Sequence, residues 1–153
     1  MRRIDTIVIH CSDSPNGRDF RASDILSWHT DPKPRGRGWR HAGYHFVICV
    51  DGAVESLVPL DDDQYIEASE VANGARGYNA HSIHICMIGK DRFTPKQWDA
   101  LSAKVSSLLD RLEGVSVVGH NQLDSHKTCP NFPVDEWLED QVAIVKQHEW
   151  KGD

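Results

Sequence analysis

The segment Thr94–Leu112 constrains the fold more than any other part of the chain. Thr94 offers an N-cap oxygen, Pro95 suits the first helical position, and Gln97 completes a capping box. Trp98, Leu101, Val105, Leu108 and Leu112 recur at three- and four-residue steps and form one apolar stripe, which Gly114 ends. A helix with one oily face is stable only against a partner surface. Five runs supply that surface as strands: Thr6–His10, Tyr44–Val50, Ala53–Leu57, His81–Ile88 and Val115–Gly119. Asp51-Gly52 between the second and third is a strong hairpin signal. The first and last runs are short, apolar and β-branched, as strands covered on both faces are. Two more helices are expected at Ser23–His29, with Ile25 and Trp28 on one face, and at Val134–Gln147, where Val134, Leu138, Val142 and Val145 repeat the stripe. The order predicts an α/β fold, a mixed central sheet of about five or six strands flanked by about three helices.

The 153 residues, 39% hydrophobic and 26% charged, fit a single domain over 1–153 with no separate wall-binding unit. A formal net charge of −6 is a poor match to a phosphate backbone, so nucleic acid is not an expected partner. The opening MRRIDTIVIHCSDS has too short an apolar run for a signal peptide, and no stretch approaches the ~20 apolar residues of a membrane helix. The chain is therefore expected to act as a monomer, off the membrane, and to remain in the cytoplasm of the producing cell until something releases it. Cys11, Cys49, Cys86 and Cys129 are expected to be reduced. Cys49 and Cys86 sit in apolar runs, where a thiol packs as a small hydrophobe, whereas Cys129 stands in a polar loop.

His10 ends the first strand and His120 follows the last, and strand ends are where sites collect in α/β sheets. Cys129 lies nine positions further on. Two imidazoles and a thiolate suit Zn²⁺ and leave one tetrahedral position for water, the count of a catalytic rather than a closed site. Spacing alone leaves this as one option, because nine histidines make chance pairings easy.

Four motifs occur in fixed order: HCSDS, GYHF, GYNAHSIHICMIG and GHNQLDSHKTCPNFPVDEW. Together, from about Ile4 to Trp137, they resemble the type-2 N-acetylmuramoyl-L-alanine amidases, which share a fold with peptidoglycan-recognition proteins. The likeness is greatest to small single-domain bacteriophage endolysins. The resemblance implies one Zn²⁺ per chain on His10, His120 and Cys129, catalytic roles for Tyr44 and Lys127, and peptidoglycan as substrate. The expected reaction is hydrolysis of the amide between N-acetylmuramic acid and L-alanine. His45 should point away from Tyr44 on an alternating strand. Close phage relatives place a histidine shortly before the GYN motif; here Gly74 or Ala75 stands there, and Arg76 is a candidate substrate contact instead. Asn79 and Ser82 are candidate groove residues. His126 competes with Cys129 as a ligand, and His84 stands where relatives commonly carry glycine. His29, His41, His81, His84 and His148 are expected to be structural or exposed, with His29 on a helix surface. Arg35, Arg37 and Arg40 read as a solvated loop, or as contacts to stem-peptide carboxylates. Two alternatives remain: a binding module that grips muropeptide without cutting, usually marked by loss of the cysteine ligand, and an amidase that also inhibits a host polymerase, as some phage relatives do.

Overall fold

The apolar stripe of the long capped helix lies on a five-stranded sheet. The structure, a computed structural model, describes residues 1–152. Its elements are β1 (Arg2–Arg3), β2 (Thr6–Cys11), α1 (Ala22–Thr30), β3 (Phe46–Ile48), β4 (Val54–Ser56), β5 (Tyr65–Ile66), β6 (Ser82–Met87), α2 (Pro95–Arg111), β7 (Ser116–Gly119), α3 (His120–Leu123), α4 (Val134–Glu139) and α5 (Gln141–His148). The main sheet runs β4-β3-β6-β2-β7. Its β3–β6, β6–β2 and β2–β7 pairs are parallel, and the β3–β4 hairpin is antiparallel. Gly52 makes that hairpin's turn at φ +87°, where a side chain would be strained.

On one face, Ile7, Ile9, Ile83, Ile85 and Met87 pack with Trp98, Leu101, Val105 and Leu108 of α2 and with Trp137 of α4. Each such side chain contributes about 1.5–3 kcal/mol when removed from water. On the other face, Val47, Cys49, Cys86 and Ile88 pack against Ala22 and Ile25 of α1. The sheet is thus covered on both sides, as the order of elements predicts. No helix among the described residues is long and apolar enough to cross a membrane.

Three features depart from the sequence reading. A two-stranded antiparallel ribbon, β1–β5, lies outside the main sheet. The expected helix Val134–Gln147 is two helices broken at Asp140, whose backbone is non-helical (φ −146°, ψ 87°) and whose carboxylate caps α5 by accepting from the Ala143 N–H at 3.2 Å. A local side-chain bond here competes with helix continuation. The break turns Leu138 and Val142 outward, and Trp137 and Ile144 fill the core instead. Finally, β3 pairing starts only at Phe46, so Tyr44 and His45 precede the regular alternation.

Candidate metal centre

Parallel pairing brings the ligand candidates together. In the β2–β7 ladder Ile9 pairs with Gly119, so His10 and His120 leave adjacent strand ends side by side. Their ring centroids are 4.8 Å apart. Cys129 comes from the loop after α3. Its sulfur accepts from the Cys11 backbone N–H at 3.2 Å and lies 3.7 Å from His10 Nδ1. One ligand atom each from His10, His120 and Cys129 fall within 4.8 Å of one another. Zinc bonds of ~2.0–2.3 Å in a tetrahedron set nitrogen and sulfur ligands about 3.5 Å apart, so this donor set fits the ion.

The electrostatics favour the same use. Burial, with the charges of His84, His120 and His29 adding to it, holds His10 well below the usual histidine range. Burial and then the Lys127 charge depress His120. Both imidazoles are therefore neutral near pH 7 with lone pairs to offer. The hydrogen bond to Cys11 and burial raise the Cys129 thiol, so a metal must displace its proton on binding.

A cavity of about 450 Å³ opens beside these groups, lined by His120 and Cys129 together with His29, Tyr44, Arg76 and Lys127. The Tyr44 ring is 5.0 Å from that of His10. Burial, reinforced by the surrounding Cys86, Cys129 and Cys11 thiols, pushes its phenol well above 10, so it stays protonated and keeps a hydrogen to donate. His126 lies on the cavity rim, but its side chain is 93% exposed and turned to Asp124 at 3.4 Å, outside the ligand cluster. It does not replace Cys129.

Other sequence-predicted residues fall differently. Arg76 lines the cavity, but Asn79 and Ser82 do not. Asn79 Oδ1 accepts from the Ala75 N–H at 2.8 Å, and Ser82, fully buried, donates to the Tyr78 carbonyl at 2.6 Å. Both fasten the loop, which corrects the groove reading of Ser82. Arg37, one of the three loop arginines, reaches the cavity wall beside Trp39. His29 is buried rather than on a helix surface. Its Nδ1 accepts from the Gly43 N–H at 2.9 Å, and burial followed by the Arg37 charge takes its pKa down to about 4. The signal was its position four after Ile25, on the same helix face.

His84, read from the sequence as structural or exposed, is the buried neighbour of His10. It is fully buried, with Nδ1 2.8 Å from His10 Nε2. It shares its strand face with Cys86, which pairs with His10, and that parity could have revealed it. A Cβ on Gly74 would collide with the His84 ring and lie 2.6 Å from the Gly43 carbonyl. The space at Gly74, where the sequence lacks an expected histidine, is thus filled by an imidazole from the sheet.

Two imidazoles and a thiol at the carboxyl ends of parallel strands, beside a cavity, have the form of a hydrolytic metal centre. Known proteins agree: the chain belongs to the N-acetylmuramoyl-L-alanine amidase family, whose profile matches residues 1–132. It is 31% identical over 149 residues to the endolysin of Escherichia phage T7, covering 92% of this chain and 89% of that protein. The solved N-acetylmuramoyl-L-alanine amidase LysC of Clostridium intestinale aligns with a TM-score of 0.72 at 26% identity, over 92% of this chain and 87% of the other. Bumblebee PGRP-SA, at 20% identity and a TM-score of 0.71 over 100% and 87% of the two chains, shares the fold.

Proposed function

We propose that this protein is a zinc-dependent N-acetylmuramoyl-L-alanine amidase acting on peptidoglycan as a phage endolysin does. The observation that carries this reading is the convergence of His10, His120 and Cys129 within 4.8 Å beside a cavity also lined by Tyr44 and Lys127. A zinc ion on these three residues would supply Lewis acidity, letting a water lose its proton near neutral pH and polarising the scissile carbonyl. The neutral imidazoles and the Cys129 sulfur hold that charge at the strand ends. Tyr44, kept protonated by burial, donates a hydrogen bond to oxygen as the tetrahedral carbon forms. The Lys127 ammonium stabilises the negative charge developing on the lactyl carbonyl oxygen, a role worth roughly 3–4 kcal/mol for a well-placed donor. Arg37 and Arg76 give the cavity wall positive charge suited to stem-peptide carboxylates. As an endolysin the protein would be made in the host cytoplasm and reach the wall once the membrane opens.

Digestion of purified peptidoglycan tests the reaction. New L-alanine amino termini without new reducing ends are expected; reducing ends alone would identify a glycosidase and end the proposal.

A further inference from the structure

His84 occupies the centre of a buried row of imidazoles. On one side its Nδ1 meets His10 Nε2 at 2.8 Å. On the other its ring stacks on His45, with centroids 5.9 Å apart and planes 9° from parallel. His45 is fixed by two bonds: its Nδ1 accepts from the backbone N–H of His84 at 2.9 Å, so its Nε2 carries the hydrogen and donates to the Glu70 carbonyl at 2.6 Å. Both rings of this pair are fully buried.

We propose that His84 is the positioning residue of the metal centre, accepting the Nε2 hydrogen of His10 so that His10 presents Nδ1 to the ion. This rests on the zinc reading above and goes beyond it. The geometry selects the direction. His10 Nδ1 is the nitrogen that faces Cys129 Sγ, 3.7 Å away, while Nε2 faces His84. A ligand nitrogen must offer its lone pair, which leaves the ring hydrogen on the other nitrogen. The acceptor of that hydrogen then fixes both the rotation and the tautomer of the ligand ring.

Two further observations support the assignment. Among the described residues His84 Nε2 has no hydrogen-bond partner, so the bond to His10 is the only one this buried side chain makes. Burying Nε2 without a partner is costly, and an apolar residue would fill the space without that cost, so what the imidazole adds here is its one bond to His10. The loop also makes room for it: only glycine at position 74 lets the ring lie where it does.

The test compares His84→Leu, which removes the acceptor, with His84→Asn, whose amide oxygen falls near the Nδ1 position. Zinc affinity is measured by competition with a chromophoric chelator. The Leu variant is expected to bind zinc about 10- to 100-fold more weakly than wild type. The Asn variant is expected to recover most of that loss. Equal affinity of Leu variant and wild type, or equal losses in both variants, would overturn the proposal. Nitrogen-15 NMR of the zinc-loaded wild type gives an answer that does not depend on how the variants fold. A hydrogen on His10 Nε2 is expected, and one on Nδ1 overturns the assignment. A wild type that binds zinc while the Leu variant matches it refutes only the role of His84. A wild type that binds none refutes the zinc reading as well.

Discussion

The backbone N–H of Asn121 donates to the carbonyl oxygen of Cys129 at 2.8 Å. The residue after one candidate ligand, His120, is thereby tied to another, Cys129, and the intervening loop becomes a clip rather than a free connection. Asn131 adds a second tie, its side-chain amide donating to the Lys90 carbonyl at 2.7 Å. The Cys129 sulfur is therefore placed before any metal arrives. Cys129→Ala is expected to drop the zinc content from one per chain to none and to reduce lysis of peptidoglycan to background. Elemental analysis with a turbidity assay checks both; retained zinc and full lysis would remove Cys129 from the site.

Tyr44 separates ring packing from hydroxyl chemistry. Tyr44→Phe keeps the ring that packs 5.0 Å from His10 and 5.4 Å from His29 and loses only the donor. We expect zinc content unchanged and kcat lowered by roughly 10²–10³-fold, the cost of one oxyanion donor. Lys127→Ala should act in the same direction. If turnover on a soluble muropeptide stays at the wild-type rate in both variants, neither group serves the reaction.

The buried histidines make stability depend on pH. Burial takes the pKa of His45 from 6.5 down to about 4 in the folded chain. Between these values the unfolded chain binds the proton and the folded chain does not. Stability is thus fully present above about pH 6.5 and is lost as pH falls towards 4, on the order of 3 kcal/mol from His45 alone. His29 shifts in the same sense. The urea midpoint of metal-free protein should hold nearly level from about pH 7.5 to 6.5 and then fall towards pH 5; a flat profile over the whole range would contradict the neutral, buried state of these rings.

Thr94 is predicted to matter for stability and not for catalysis. Its hydroxyl accepts from the Gln97 N–H at 3.1 Å and donates to the Val50 carbonyl at 2.6 Å, joining α2 to the β3–β4 turn. Thr94→Ala should cost about 1 kcal/mol and lower Tm by about 2–4 °C. Specific activity below Tm should be unchanged, which calorimetry and the turbidity assay would show together.

How far the molecule is legible in its sequence depends on the range of the force that sets each part. The capped helix, the Asp51-Gly52 hairpin and the five strands of the main sheet announce themselves because local chemistry and periodicity agree there. His10 and His120 are legible as groups at strand ends, and the ordered motifs attach Cys129 to them. The β1–β5 ribbon is not legible, since two residues per strand carry no period. Nor is the break at Asp140, where one carboxylate outcompetes an apparent stripe. His84 was hidden because burial of an imidazole depends on a neighbour from another strand. Ser82 was misread because a serine beside a site looks the same in sequence whether it faces the groove or the loop backbone.

The strand that carries His10 is the first long one in the chain, yet it lies inside the sheet, between β6 and β7. During synthesis it has no partners until residues 82–87 and then 116–119 have left the ribosome. Until residue 120 appears, one of the three candidate ligands exists, and the third follows only with Cys129. The candidate centre is therefore complete only late in translation. An amino-terminal fragment that stops short of residue 129 lacks at least one of the three candidate groups.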